Sequence, residues 1–232
     1  MRTHKIATLA LAVSAAFSSS VLAQEAATTE KKEASLEQIT VTAQKRTQSI
    51  QEVPISVATL SGEKFESLFS GGEDILALAV RVPGLYAESS NGRVAPRFYI
   101  RGLGNTDFDL AASQPVSIIM DEVVMENVVL KSFPLFDVQQ VEVLRGPQGT
   151  LFGRNTTAGI IKFDTVKPTQ DVEGYAKAGF GSYGTMNFEG AISGGLTDEL
   201  SARLSVLSQE RDDYIDNAAT GQNDALGGFD EK

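Results

Sequence analysis

Hydrophobic and polar positions follow two different periodicities along the chain. Between residues 49 and 167, short alternating runs are interrupted by runs in which apolar residues recur every three or four positions. After Pro168 only the alternation remains. Because a period of two is typical of strands and a period near 3.6 of amphipathic helices, the pattern predicts a small mixed α/β domain followed by an antiparallel sheet.

Two helices and five strands are predicted in the first domain. Ser61 can cap a helix that places Phe65 and Phe69 on one face, and Asp74 can cap a second helix that ends at Pro83. The strands are predicted at residues 53–60, 97–101, 116–121, 141–144 and 160–164. Glycine-rich turns connect several of these elements, as expected for a compact domain.

Three longer strands are predicted after Pro168. Residues 172–180, 186–194 and 200–211 each place apolar side chains on one face and polar side chains on the other, and turn residues separate them. Segments of about ten residues with this pattern are typical of transmembrane barrel strands. A soluble antiparallel sheet has the same alternation, so the pattern alone leaves both possibilities open.

The N-terminus has the features of an export signal. Arg2 and Lys5 precede an apolar run over residues 6–17, and small or β-branched residues lead up to Ala23. Cleavage after Ala23 is therefore predicted. A membrane-spanning helix needs about 20 apolar residues, and the serines at positions 18–20 interrupt the run too early. An exported chain favours the transmembrane interpretation of the later strands.

Composition narrows the possible chemistry. Without Arg2 and Lys5 the chain has 18 basic against 30 acidic residues, a net charge of −12, which argues against nucleic acid as a partner. The chain has no cysteine, and its single histidine, His4, lies in the predicted signal. We therefore expect no metal site with imidazole or thiolate ligands, no cofactor and no catalysis by a nucleophile–base pair.

The segment after the signal combines a polar stretch with a β-prone one. Residues 24–35 are polar and lack periodicity, which is typical of a flexible leader. Residues 39–42 are β-branched at every position and favour an extended backbone. Such a segment can add a strand to the sheet of a partner protein, or it can be an edge strand of the following domain. These residues alone leave both possibilities open.

The most specific stretch of the sequence is residues 137–159, in which a predicted strand is followed by closely spaced glycines. Gly146, Gly149 and Gly153, with Pro147 among them, permit tight turns and positive φ angles. A phosphate-binding loop requires the pattern G-x-x-x-x-G-K-[ST], and no Gly-Lys pair occurs in the chain. Nucleotide binding is therefore not expected.

Residues 137–159 resemble the plug-domain motif of TonB-dependent outer-membrane receptors. Residues 98–102 (FYIRG) resemble a second recurring plug element, residues 51–57 the opening strand of the plug, and residues 81–85 the end of a plug helix. Residues 36–43 lie where the family has its TonB box and share its pattern. The resemblance favours the partner-strand hypothesis for the candidate TonB box, which consists of Ile39, Thr40, Val41, Thr42 and Ala43.

The resemblance implies an α/β plug domain with a small mixed sheet, followed by the first antiparallel strands of a transmembrane β-barrel. The implied domains are a signal peptide (1–23), a flexible leader with the TonB box (24–48), the plug (49–167), and barrel strands with the start of an extracellular loop (168–232). Barrels of this family have about 22 strands. The residues after Pro168 have room for three, so the chain is expected to be a fragment.

The resemblance also implies a function and its partners. The family takes up scarce substrates such as ferric siderophores, haem or cobalamin across the outer membrane, where the barrel contacts lipid. The TonB box adds as a strand to the C-terminal domain of TonB, which draws on the proton gradient through ExbB and ExbD. The alternative is a soluble periplasmic module, a plug without a barrel that engages TonB or a ligand. An enzymatic function is not implied.

Two arginines are implied to hold plug and barrel together. Arg101 and Arg145 each end a plug strand at a glycine, Gly102 and Gly146, and in the family the matching pair lies against glutamates of the barrel wall. We therefore expect these arginines to lock the plug to the barrel, with acidic partners that lie beyond Lys232. Lys131 is expected to be a surface charge whose removal costs little, in contrast to a buried charge.

Polar linkers between the predicted strands are candidates for the substrate-binding apices of the plug. These linkers are residues 91–93 and 104–114. The candidate ligand residues are Asn91, Arg93, Asn105 and Asp107. Together with Asp109, the last two could be mistaken for a metal site, but a solvated loop is the expected structure.

Overall fold

The computed structural model describes residues 39–69, 74–90, 92–107, 109 and 111–231. The predicted signal peptide and its cleavage site lie outside the described residues, as does the leader up to residue 38. Within the described ranges the chain forms a five-stranded sheet, a four-stranded sheet and three two-stranded ribbons.

The first domain is built around the five-stranded sheet. Its strands and those of two ribbons are β1 (Thr40–Val41), β2 (Gln48–Ser49), β3 (Ser56–Ser61), β4 (Leu85–Glu88), β5 (Arg97–Ile100), β6 (Val116–Met120), β7 (Val123–Met125), β8 (Val138–Arg145) and β9 (Gly159–Thr165). The five-stranded sheet, called here the mixed sheet, has the order β3-β8-β9-β6-β7. β6 and β9 are parallel, and the other neighbours are antiparallel. β1 pairs with β2, and β4 pairs with β5.

Short helices lie between these strands. α1 spans Gly62–Phe69, and a 3-10 turn at Ile75–Ala77 continues into α2 at Leu78–Arg81. The carboxylate of Asp74 accepts a hydrogen bond from the backbone N–H of Leu76 at 2.9 Å, which confirms its predicted capping role. A third helix, α3 (Gly149–Phe152), follows β8, and a 3-10 turn spans Val128–Lys131.

Both faces of the mixed sheet are covered. On one face, Ile161 and Phe163 pack against side chains from the helical segments, namely Phe65, Phe69, Ile75 and Leu78. On the other face, Leu144 and Ile160 pack against Val41, Ala43, Val53 and Phe152. The second layer therefore comes from α3 and from the segment that precedes β3.

Two strands are more buried than their alternation predicts. In β6, the alternation predicts an apolar face of Val116, Ile118 and Met120, yet Ser117 and Ile119 on the opposite face are 1% and 0% exposed. In β5, Arg97 lies on the predicted polar side and is 8% exposed. Alternation identifies one buried face of a strand, but it does not reveal a second layer of chain that covers the other face.

The four-stranded sheet, called here the C-terminal sheet, matches the predicted long strands within one residue at each end. Its first strands are β10 (Glu173–Phe180), β11 (Met186–Gly195) and β12 (Ser201–Arg211). The sequence predicts a loop after residue 211. Instead, β13 (Ile215–Asn217) and β14 (Gln222–Leu226) form a ribbon, and β15 (Phe229–Glu231) returns to pair with β12.

One face of the C-terminal sheet is apolar and exposed. Phe180, Ile192 and Leu204 lie on this face and are 84%, 58% and 66% exposed. Ile192 is opposite Leu204 in the register, so the apolar side chains form a continuous band across the strands. A contiguous apolar surface of this kind marks contact with a partner or a membrane. In the part of the chain that is described, no helix is long and apolar enough to cross a membrane.

Candidate functional site

The candidate TonB box, residues 39–43, is folded against the mixed sheet. Its central residues form β1 and pair with β2. The resemblance implies a flexible leader with the TonB box over residues 24–48, and in this structure the described residues 39–48 form a ribbon docked on the first domain. The ribbon, the buried side chains and several hydrogen bonds hold the segment on the domain surface.

Apolar side chains attach the box to β8 and β9. Val41 is 1% exposed and Ala43 is completely buried. They pack with Leu144, Ile160 and Phe152 on the second face of the mixed sheet. Because burying a valine side chain contributes about 1.5 kcal/mol or more, transfer of the box into water has a measurable cost.

Side chains of β8 also bind the main chain of the box. The N–H of Thr42 donates to Glu142 Oε1 at 2.6 Å, and Gln140 Nε2 donates to the carbonyl oxygen of Thr40 at 3.1 Å. Gln140 Nε2 also donates to Glu142 Oε1 at 2.7 Å. These contacts fix the position of the box along β8, since a shift by one residue would break both main-chain hydrogen bonds.

A buried lysine, Lys162, lies beneath the box. Its Nζ is 2.6 Å from Asp164 Oδ1 and 3.1 Å from Glu122 Oε1, and it donates to Thr42 Oγ1 at 2.7 Å. Burial would lower the pKa of Lys162, but Asp164 and Glu122 outweigh this effect and raise the pKa. Burial also raises the pKa of the Glu142 carboxyl. The sequence prediction of the site missed all four charged residues.

The predicted lock residues Arg101 and Arg145 lie at the ends of β5 and β8. Arg145 Nη1 donates to Ser56 Oγ at 3.0 Å, and its buried Nε has no hydrogen-bond partner in the described part of the chain. Burial and the neighbouring charge of Arg101 lower the pKa of Arg145. Two adjacent positive charges would be stabilised by an acidic partner, and the lock stays a prediction.

The motif glycines shape the turns next to these arginines. Gly102, Gly146 and Gly153 have φ angles of 79°, 109° and 89°, in the left-handed region that favours glycine. Gly149 is the first residue of α3, and Pro147 lies in the turn before it. The turn brings Phe152 back onto the mixed sheet beside the candidate TonB box.

Lys131 is not the surface charge that the sequence predicts. Its side chain is 2% exposed, and Nζ donates to the carbonyl oxygen of Val116 at 3.1 Å. Burial lowers the pKa of Lys131 to about 8. It lies in an apolar stretch at the end of a 3-10 turn, and the turn directs its side chain into the domain. Lys64 on α1, which is exposed, is a better surface reference.

Asp137 is the centre of an observed contact between the mixed sheet and the C-terminal sheet. Arg203 Nε donates to Asp137 Oδ2 at 2.8 Å, and the carboxylate also accepts from Arg203 Nη2 and the Ser205 hydroxyl. The Arg203 and Asp137 side chains are 9% and 7% exposed. Bidentate pairs of this kind are among the stronger polar contacts in proteins. The sequence places Arg203 on the polar face of its strand but does not identify its partner.

The predicted apex residues have different surroundings. Asn91 lies outside the described residues. Arg93 forms a salt bridge with Glu231, with 3.0 Å between Nε and Oε1, and lies over the Phe229 ring at 4.2 Å. Arg93 therefore contacts β15 in this structure, and its role in ligand binding stays a prediction.

Asn105 and Asp107 lie in an exposed stretch that is shaped by its own side chains. The N–H of Asp107 donates to Asn105 Oδ1, and the N–H of Asp109 donates to Asp107 Oδ1, both at 2.9 Å. These are local side-chain turns of the solvated loop type. Within the described ranges, no group of three or more His, Cys, Asp or Glu residues is arranged to hold a metal ion.

Comparison with known proteins identifies the first domain. A family model described as the TonB-dependent receptor plug domain matches residues 49–160. The chain contains a TonB-dependent receptor plug domain. The mixed sheet is thus the sheet of the plug, and the candidate TonB box immediately precedes the matched residues.

Relatives along the sequence include a pesticin receptor and an iron-regulated outer membrane virulence protein. The chain is 35% identical over 151 residues to the pesticin receptor of Yersinia pestis, a match that covers 63% of this chain and 21% of the relative. It is 28% identical over 211 residues to the iron-regulated outer membrane virulence protein of Vibrio cholerae, covering 85% of this chain and 30% of the relative. The chain therefore spans less than a third of the length of these relatives.

Solved structures share the fold. The ferric yersiniabactin uptake receptor FyuA from Yersinia pestis aligns with a TM-score of 0.66 at 30% identity, over 75% of this chain and 27% of that one. The ferripyoverdine receptor of Pseudomonas aeruginosa aligns with a TM-score of 0.63 at 21% identity, over 77% of this chain and 23% of that one, and supports the fold alone. The plug domain followed by an unclosed set of barrel strands confirms the fold class predicted from the sequence.

Proposed function

We propose that this chain is the plug and first barrel strands of an outer-membrane transporter that uses TonB to take up a scarce, large nutrient. The observation that carries the proposal is the plug match over residues 49–160, followed by the long antiparallel strands β10, β11 and β12 with their exposed apolar face. The function of such a chain is transport rather than catalysis. The domain boundaries that fit this proposal are those implied by the resemblance, with the plug at 49–167.

The exposed apolar band of the C-terminal sheet supports an outer-membrane location. Phe180, Ile192 and Leu204 on β10, β11 and β12 would face lipid, while Arg203 on the opposite face of β12 binds the plug. The alternative of a soluble periplasmic plug is not favoured, because it would leave this band in water.

The names of the relatives support a ferric siderophore as the substrate class. FyuA is a ferric yersiniabactin uptake receptor, and another relative is a rhizobactin receptor of Rhizobium meliloti. Vitamin B12 transporters also match, at 22% to 24% identity. A ferric siderophore is therefore the first substrate to test, and cobalamin is the second.

The candidate TonB box supports the partner. Residues 39–42 are β-branched at every position and favour an extended backbone, and strand addition relies on backbone N–H and C=O groups. In the proposed cycle the box leaves the plug and pairs with the C-terminal domain of TonB, which is energised through ExbB and ExbD. The buried Val41 and Ala43 would then move from the plug into the new interface or into water.

A peptide of residues 36–46 tests this partner directly. Calorimetric titration with the TonB C-terminal domain should give a measurable affinity for the parent peptide. Val41→Pro should abolish binding, because proline removes a backbone donor and fixes φ. Val41→Thr should bind about as well as the parent, since it keeps the β-branch and the backbone.

The intact protein gives the matching measurement in cells. Energised uptake of a labelled ferric siderophore should be lost in Val41→Pro, while binding of the same siderophore to the cell surface should be retained. Equal affinity of the proline and parent peptides for TonB would refute strand addition. Uptake that does not depend on TonB would refute the transporter proposal itself.

A further inference from the structure

Both backbone edges of the candidate TonB box are occupied in this structure. One edge faces β2: Val41 is paired with Gln48, and the Ile50 N–H donates to the Ile39 carbonyl at 3.0 Å. In an extended segment, the main-chain groups of alternate residues point to opposite edges. The N–H and C=O groups of Thr40 and the N–H of Thr42 therefore belong to the other edge, whereas the Thr42 carbonyl accepts from the Lys45 N–H in the turn toward β2.

The second edge is bound by side chains rather than by a strand. Gln140 Nε2 donates to the Thr40 carbonyl, and Glu142 Oε1 accepts from the Thr42 N–H. Gln140 and Glu142 are two residues apart on β8, just as Thr40 and Thr42 are two residues apart on the box. A neighbouring strand would likewise offer one donor and one acceptor to these two groups.

The two side chains support each other. Gln140 Nε2 is 2.7 Å from Glu142 Oε1, so the amide is fixed by the same oxygen that receives the Thr42 N–H. Glu142 is completely buried, and its Oε2 has no hydrogen-bond partner in the described part of the chain. Oε1 therefore carries the contacts of this carboxylate, and they are directed at the box and at Gln140.

We propose that Gln140 and Glu142 act as a side-chain substitute for a partner strand and compete with TonB for the backbone of the box. This inference rests on the proposed function, because it takes TonB to be the protein that pairs with residues 39–43. The Thr42 N–H and Thr40 C=O cannot serve both the plug and an added strand. The docked box is thus withheld from TonB, and the strength of this contact sets how readily the box is released.

The charged residues beneath the box make the release reversible. Lys162 Nζ donates to Thr42 Oγ1, but its charge partners Asp164 and Glu122 belong to the plug. When the box leaves, Lys162 keeps both carboxylates and is not left as an isolated buried charge, and Glu142 keeps the hydrogen bond from Gln140 Nε2. Removal of one partner of a buried charge pair would be much more costly. The box can therefore leave without disrupting this cluster.

The experiment measures how often the box leaves the plug, using the intact protein in outer-membrane vesicles. The chain has no native cysteine, so Val41→Cys introduces one thiol into it at a position that is 1% exposed. The rate of thiol modification then reports undocking. In this background, Glu142→Ala should raise the rate about tenfold or more and Gln140→Ala about fivefold, because they remove charged and neutral hydrogen bonds.

Gln139 provides the matched control, because it is the neighbouring glutamine of β8 and its side chain is exposed. Gln139→Ala should leave the modification rate unchanged. Glu142→Gln should restore most of the docking lost in Glu142→Ala, since its amide oxygen can still accept the Thr42 N–H. This rescue separates a positioning role from a general loss of packing.

Affinity for the TonB C-terminal domain is measured on the same proteins without the Val41→Cys change. It should rise by similar factors in Glu142→Ala and Gln140→Ala and stay unchanged in Gln139→Ala. If Glu142→Ala does not fold, as judged by its melting temperature, Gln140→Ala decides. Unchanged thiol modification in Gln140→Ala would overturn the inference. If modification rises but neither the peptide nor the protein binds TonB, the docking contact stands and the proposed function fails.

Discussion

In both the mixed sheet and the C-terminal sheet, successive side chains point to opposite faces, but the faces of the two sheets have different surroundings. In the mixed sheet both faces are covered, and Glu142 and Lys162 are buried among partners from β9 and the candidate TonB box. In the C-terminal sheet one face binds the plug through Arg203, and the other is apolar and bare. The first sheet can contain charges because its neighbours supply hydrogen bonds. Around Ile192 and Leu204 the outer face of the second sheet carries only apolar side chains and glycine, and the charged Glu210 of that face lies at the end of β12.

The largest expected effect lies at Gly159 in the mixed sheet. Its φ is +151°, and a Cβ would lie 2.2 Å from the Leu144 carbonyl oxygen and 2.7 Å from Ile100 Cδ1. We expect Gly159→Ala to lower the free energy of unfolding by about 4 kcal/mol, the sum of backbone strain and overpacking. Denaturant titration of the intact protein measures this loss of stability, with proteolytic cleavage within the plug as the readout of unfolding.

Gly179 in the C-terminal sheet is the control for this substitution. A Cβ there would meet the Asn187 Cβ at 3.8 Å, an ordinary contact. Gly179→Ala should therefore be neutral or slightly stabilising. Equal destabilisation by the two alanines would mean that the close approach of Gly159 to β8 is wrong.

A pair of isoleucines compares burial in the two sheets. Ile161 is completely buried in β9, whereas Ile192 is 58% exposed on β11. Ile161→Ala should cost about 3 kcal/mol of stability, as is usual for a buried isoleucine. Ile192→Ala should cost well under 1 kcal/mol, whereas Ile192→Arg should cost about 2–4 kcal/mol if the position faces the middle of a bilayer.

The two Ile192 variants are best measured in bilayers and again in a soluble setting. Refolding into lipid vesicles should discriminate strongly against Ile192→Arg. If Ile192→Arg refolds into vesicles as well as the parent protein does, the apolar band does not face lipid.

The smallest of the three expected effects on stability concerns the contact between Asp137 and Arg203, which joins the two sheets. A double-mutant cycle with Asp137→Asn and Arg203→Gln should give a coupling energy of about 1–2 kcal/mol at neutral pH. Burial would raise the pKa of the Asp137 carboxyl, but hydrogen bonds from Arg203 and Ser205 outweigh it and keep the pKa below its usual value.

The pH dependence of this coupling follows from the lowered pKa. Asp137 binds a proton less tightly in the folded protein than in the unfolded protein. Its contribution to stability is therefore fully present above the unfolded pKa of about 4. It is lost as the pH falls through the lower folded pKa. Coupling that stays constant down to pH 2 would show that the Asp137 carboxylate is not the partner of Arg203.

Much of the fold was predictable because its signals are local. The three long strands of the C-terminal sheet match the predicted ranges within one residue, and Asp74 caps the second helical segment as its position indicates. β15 was missed because the turn-rich residues 212–228 gave no sign that the chain returns to β12. Its pairing depends on register rather than on its own sequence.

The site was harder to predict because its residues meet only in three dimensions. Glu142 and Lys162 are charged residues within predicted strands, which was a usable signal for buried partners, but Thr42 lies 100 or more residues away. Lys131 was misplaced for the opposite reason. A lone lysine is usually exposed, and its burial depends on a 3-10 turn that directs it toward the Val116 carbonyl.

The edge position of β3 has a mechanical consequence. β3 has one neighbour in the mixed sheet, β8, and it is the first strand of that sheet after the candidate TonB box along the chain. Once the box has been released from Gln140 and Glu142 of β8, tension applied at residue 39 would reach this sheet at Ser56, which is paired with Arg145. β3 can peel away from that end while β8, β9, β6 and β7 keep all their mutual hydrogen bonds. The first bond under load would be the one between Ser56 and Arg145, so a pull from the periplasm would act first on one of the two arginines predicted to hold the plug in the barrel.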